Sequence, residues 1–224
     1  MVPEVGGGSG EDVVYLFDVD NTLLDNDAVA DDLRAYLTAE FGEERQRRYW
    51  EEFEHLRVEL GYADYLGALQ RFRAAYPHDT HLLAVSEWLI DYPFAARLYP
   101  GVLEVVAAFA ARGPAVILSD GDVVFQPHKV RRSGLWEAFD GRVLIYVHKE
   151  RELDDVEARY PAERYVLVDD KLRILAAVKE TWGGRVTTVF PRQGHYAHDP
   201  EAIAAYPAAD VSVERVGDLL HVGV

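Results

Sequence analysis

The chain has 224 residues, 39 Asp and Glu against 23 Lys and Arg, a formal net charge of −16, and 49% apolar residues. That balance argues against nucleic-acid backbone binding, which uses clustered cations, and disfavours anionic membrane surfaces, while the apolar share is too high for a disordered acidic tail. The absence of Cys excludes disulfides, thiolate catalysis and Cys-ligated zinc.

No apolar run approaches the roughly 20 residues of a membrane span. Residues 1–11 include the run Gly6–Gly10 and have no basic segment followed by an apolar one. They are expected to form a flexible N-terminal tail rather than a secretory signal, on a cytoplasmic protein.

Val13–Phe17 (VVYLF) is a short apolar run that predicts a strand buried on both faces, ending in the turn residues Asp18-Val19-Asp20-Asn21-Thr22. From residue 26 the pattern turns helical. Leu33, Tyr36, Leu37 and Phe41 form one stripe, and Tyr49, Phe53, Leu56 and Leu60 a second. Gly42 and Gly61 follow them as C-caps. Tyr65, Leu69, Phe72 and Tyr76 form a third stripe, and Leu82, Val85, Leu89 and Ile90 a fourth. An all-helical insert over residues 26–97 follows, with the rings as its core.

Beyond Tyr99-Pro100-Gly101, helices and apolar strands alternate. Helices are predicted over 102–111, 123–132, 153–158 and 172–179, with two short ones over 201–206 and 214–220. Strands are predicted over Ala115–Leu118, Val143–Val147, Tyr165–Val168 and Val186–Phe190. Such alternation predicts an α/β fold, a doubly wound parallel sheet with helices on both faces. Ligands in such sheets bind beyond the carboxyl ends of the strands. Four strands here end in polar residues: Asp18 and Asp20, Ser119, His148 and Lys149, and Asp169 and Asp170.

Four carboxylates at one sheet edge repel unless a cation lies among them. Oxygen donors favour Mg²⁺ over zinc. A metal, a Lys and a hydroxyl together cradle a phosphoryl group. One carboxylate can then attack it, and a second, two residues on, can serve the leaving group as acid and water as base.

The segment Phe17-Asp18-Val19-Asp20-Asn21-Thr22-Leu23 resembles the first motif of the haloacid dehalogenase superfamily of phosphohydrolases. Ser119-Asp120-Gly121 resembles the second motif, Lys149 the third and Asp169-Asp170 the fourth. The resemblance runs from about residue 12 to 190 and implies a Rossmann-like core of residues 12–25 and 98–224. The 26–97 insert becomes a small helical cap domain. It further implies that Asp18 is the nucleophile and a Mg²⁺ ligand, and that Asp20 is the general acid/base with its backbone carbonyl on the metal. Ser119 would bind a phosphoryl oxygen and Lys149 would neutralise the nucleophile. Asp169 would bind Mg²⁺ directly and Asp170 through water, although their adjacency leaves open which one touches the metal. Glu150 stands where relatives often carry Pro.

The expected function is hydrolysis of a small phosphorylated metabolite through an aspartyl-phosphate. Alternatives are a 2-haloacid dehalogenase, a phosphotransferase or mutase, and a non-catalytic binding protein. Of the four lysines, Lys129 is expected to be solvated in mid-helix and Lys171 to start a helix. Arg45, Arg47 and Arg48, among Glu43, Glu44, Glu51 and Glu52, read as an ion-paired helix face. The loop Arg192–His195 could reach the sheet edge; a surface or substrate-edge role, rather than zinc binding, is expected for His195 and His198.

Overall fold

In the computed structural model, which describes residues 12–224, the expected tail at 1–11 lies outside the described residues. The strands are β1 (Val13–Phe17), β2 (Ala115–Asp120), β3 (Val143–Tyr146), β4 (Arg164–Val168), β5 (Val186–Pro191) and β6 (Val211–Val213). They form one sheet in the order β3-β2-β1-β4-β5-β6, every neighbouring pair parallel.

Successive side chains of β1 point to opposite faces and so seed two cores. Tyr15 and Phe17 join one apolar cluster, Val14 and Leu16 the other. On the first face, Phe109 of α5 (Val102–Ala110) meets Tyr15 and Phe17 edge-on at 4.8 and 5.6 Å. On the second, α9 (Leu172–Trp182) brings Trp182 to stack on Tyr165 at 4.2 Å. Burying each such ring contributes roughly 1.5–3 kcal/mol.

Between β1 and β2 lie α1 (Asn26–Phe41), α2 (Glu43–Leu60), α3 (Tyr65–Ala75) and α4 (His81–Asp91). Gly42 and Gly61 end the first two helices with φ of 80° and 83°, as expected. The buried residues of this region are the predicted stripes, among them Leu33, Tyr49, Phe53, Phe72 and Val85. Its cluster is continuous with the sheet through Tyr65, whose ring lies 5.6 Å from Phe125 at the start of α6 (Phe125–Arg132). Arg45 departs from the expected helix face. It pairs with Asp79 of the α3–α4 loop at 2.5 Å and lies 4.0 Å over the Tyr76 ring.

The remaining helices are α7 (Leu135–Ala138), α8 (Leu153–Arg159) and α10 (Pro200–Ala204). Helix α6 starts two residues later than expected because Asp122 Oδ1 accepts from the Val124 and Phe125 amides. The three-residue β6 is too short for an alternation signal. Asp210 sets it beside β5, accepting from the Thr188 amide and hydroxyl at 2.8 and 2.9 Å. The short helix expected over 214–220 is a 3-10 helix over 216–220. No helix among the described residues is long and apolar enough to cross a membrane.

Candidate active site

The register places Phe17 beside Ile117 of β2 and Val168 of β4. Asp18 therefore leaves the central strand between the ends of its two neighbours, and its amide donates to Val168 O at 2.9 Å. The next residues form a tight turn. Asn21 takes φ 60°, a left-handed conformation that Asn tolerates, and the Thr22, Leu23 and Leu24 amides all donate to Val19 O. Asn21 Oδ1 then accepts from the Asn26 and Asp27 amides at 3.0 and 3.1 Å, starting α1.

Thr22 ties this turn to the end of β4. Its hydroxyl accepts from the Asp170 amide at 3.0 Å and donates to Asp18 Oδ2 at 3.3 Å. Asp18, Asp169 and Asp170 are buried, and each offers an oxygen within 4.8 Å of the others. Lys149, 1% exposed, reaches them from the turn after β3, its Nζ 2.5 Å from Asp18 Oδ1 and 2.6 Å from Asp169 Oδ2. Burial disfavours the ammonium, but Asp169, Asp18 and Asp120 raise its pKa above the ordinary value and keep it charged.

The carboxylates remain undercompensated. Neither oxygen of Asp170 has a hydrogen-bond partner, and Asp169 Oδ2 meets Lys149 only as an ion pair outside hydrogen-bond geometry. Desolvation pushes Asp169 up to about 6 and Asp170 well above the carboxylate range, despite the attraction of Lys149 and Lys171. Three clustered carboxylates with orphaned oxygens are a donor set that fits a hard divalent cation such as Mg²⁺.

Asp20 stands apart from this cluster. Lys129 Nζ donates to its Oδ1 at 2.7 Å and to Asn26 Oδ1 at 3.0 Å. Lys129 is therefore buried, not solvated. Its place four residues after Phe125, on the buried face of α6 with Gln126 and Val130, was the available signal. Gln126 Nε2 donates to Ser119 Oγ at 3.0 Å, orienting the hydroxyl at the end of β2. Lys171 begins α9 as expected, but it also faces the acids, and its pKa is raised by Asp170, Asp18 and Asp169 against the opposing effect of burial. Glu150 pairs with Arg173 at 2.7 Å.

The loop after β5 does reach the edge. Gln193 Nε2 donates to Thr22 O at 3.2 Å, and Gly194, at φ 70°, packs so closely that a Cβ would lie 2.5 Å from that of Asn21. Above these residues a cavity of about 610 Å³ opens between the helical region and the sheet edge, lined by Asp20, Arg34, Trp50, Tyr62, Lys171 and His195 among others. A second lobe of about 300 Å³ shares Asp20 and Lys171 and adds Asp120 and Arg173.

Residues 14–180 match the haloacid dehalogenase-like hydrolase family. No curated protein matches the chain. Among solved structures, a protein of Burkholderia xenovorans LB400, described no further than as haloacid dehalogenase-like, is 65% identical. That match covers 95% of this chain and 96% of the other at a TM-score of 0.90. The HAD-hydrolase YfnB of Bacillus subtilis, solved with bound magnesium, shares the fold at 15% identity and a TM-score of 0.61, covering 95% and 98% of the two chains. The L-2-haloacid dehalogenase of Xanthobacter autotrophicus does so at 20% and 0.62, covering 93% and 96%. With the parallel sheet, the helical cap region between β1 and β2 and the acidic cluster at the central strand end, the match over most of its length makes this chain a member of the haloacid dehalogenase-like hydrolases.

Proposed function

We propose that this hydrolase is a Mg²⁺-dependent phosphatase of small phosphate monoesters, working through an aspartyl-phosphate. Residues 26–97 act as the cap over a core of residues 12–25 and 98–224. The observation that carries the reading is the cluster of Asp18, Asp169 and Asp170, whose buried oxygens outnumber the donors facing them. Asp18, Asp169, Asp170 and the Asp20 carbonyl would hold Mg²⁺, which supplies neutralisation of the phosphoryl oxygens when bound.

Asp18 attacks phosphorus; the new Asp18–phosphorus bond forms as the ester oxygen leaves. Asp20 gives its proton to that oxygen, then takes one from the water that hydrolyses the acyl phosphate and releases inorganic phosphate. Ser119, oriented by Gln126, donates to a phosphoryl oxygen. Lys149 balances the charge of Asp18 before attack and of the phosphoryl group during it. Lys129 fixes Asp20 in place. Asp20 also favours this reading over haloacid dehalogenation, which needs no acid two residues after the nucleophile.

The test is hydrolysis of an aryl phosphate with Mg²⁺ and with EDTA. Turnover should vanish in EDTA and fall at least about a hundredfold in Asp18→Asn, the scale of losing one transition-state electrostatic contact or more. Undiminished turnover in either condition would refute the mechanism.

A further inference from the structure

The mechanism above leaves His195 unused, yet the fold fixes it firmly. Asp27, in the first turn of α1, holds it twice. Asp27 Oδ2 accepts the His195 amide at 2.7 Å, and Oδ1 lies 2.7 Å from His195 Nδ1. Asn21 Nδ2 donates to the same Oδ1 at 3.0 Å. Burial opposes ionisation of Asp27, but the bonds from His195 and Asn21 outweigh it and hold the carboxyl below its ordinary range. A carboxylate accepting from Nδ1–H leaves Nε2 of the neutral ring as an acceptor. Nε2 has no protein partner among the described residues, and the ring lines the larger cavity with Tyr196 packed on it at 4.0 Å.

Both arginines on the cavity wall are paired with carboxylates. Arg34 is 2.8 Å from Asp31, and Arg57 is 2.8 Å from Glu54. Asp27 is occupied by His195 and Asn21. These exposed pairs add little stability, but they leave neither guanidinium free for a second anionic group. Lys149 is paired within the acidic cluster, and Lys171, its Nζ 5.5 Å from the Tyr196 ring centroid, is drawn to the same acids.

We propose that the alcohol half of the substrate is uncharged and hydroxylated, as in a polyol or sugar monophosphate, and that His195 Nε2 accepts a hydrogen bond from one of its hydroxyls. The inference rests on the phosphatase reading. Tyr62, whose ring also lines the cavity, offers apolar surface for the carbon face of such a group. His195 is then a specificity-determining residue, and Asp27 positions it.

The test compares wild type, His195→Asn and His195→Gln on glycerol phosphate, a hexose phosphate, phosphoglycerate and an aryl phosphate, all with Mg²⁺. An Asn amide overlays Nδ1 and keeps the Asp27 contact; a Gln amide overlays Nε2 and keeps the reach into the cavity. Wild type should favour the better neutral ester over phosphoglycerate by about tenfold or more in kcat/KM. Its preference for that ester over the aryl phosphate should fall about five- to tenfold in His195→Asn, mainly through KM, the size of one lost neutral hydrogen bond. His195→Gln should recover most of it. The opposite order, with Asn like wild type and Gln impaired, would make His195 only a loop anchor and overturn the proposal. So would a preference for phosphoglycerate, or an unmoved preference in both variants while the aryl ester is turned over. If wild type hydrolyses none of the four esters, the phosphatase reading itself fails and this inference with it.

Discussion

Lys129 and Asp20 form an ion pair with 1% of the Lys129 side chain exposed and 22% of that of Asp20. Removing one partner of a fully buried pair costs roughly 3–5 kcal/mol. Asp20 keeps some access to water, so Lys129→Met should cost less, about 1–2 kcal/mol, read as a lower urea midpoint at unchanged slope. An unmoved midpoint would mean that the pair adds nothing to the fold. Asp170 presents the opposite case, a buried carboxylate with two orphaned oxygens. Asp170→Asn removes charge that desolvation disfavours, so the metal-free protein should melt higher while its response to Mg²⁺ is lost. A lower melting temperature without metal would show that the charge itself stabilises the fold. The strand-end acids and Lys149 were legible in the sequence because short apolar runs followed by polar residues mark where strands stop. Thr22, which bridges Asp18 and Asp170, carried no such mark, since its bonds depend on which strand lies next to β1.

Two loops carry the contacts between elements. Gly61 ends α2 in a left-handed conformation against the His148 ring, so the cap helix meets the turn before Lys149 with no side chain between them. Gly194 does the same between the loop after β5 and Asn21. At Gly194 an added methyl would meet the Asn21 Cβ rather than a mobile side-chain tip, in a backbone conformation that L-residues avoid. Gly194→Ala should therefore cost about 1–3 kcal/mol and shift the loop carrying His195, seen as a lower melting temperature and a raised KM for the neutral ester. Wild-type values of both would mean that the loop can move aside without loss. Helix stripes and glycine C-caps were readable in the cap because they depend on local periodicity. The three-residue β6 and the 3-10 turn at its end were not, because neither is long enough to carry a period.

At the scale of the molecule, the buried acids couple the fold to pH and to the metal. Without metal, desolvation pushes Asp169 up to about 6 and holds Asp170 well above the ordinary 3.8. The folded state then holds more protons than the unfolded chain above about pH 4, so these two groups lower stability as pH rises through about 6. Mg²⁺ competes with those protons, so its stabilisation grows over the same range. The gain in melting temperature on adding Mg²⁺ should be larger at pH 7 than at pH 5; equal gains would contradict the placement of the cation among these acids. The sequence by itself determined the alternating architecture, the helical segment after the first strand and the acids at the strand ends, because each is written in local apolar runs and turn residues. The tertiary structure decided the pairing of Lys129 with Asp20 across 109 positions and of His195 with Asp27 across 168. Those contacts exist only because the parallel sheet carries α6 and the loop after β5 to the edge where β1 ends, and no local pattern encodes which side chains meet there.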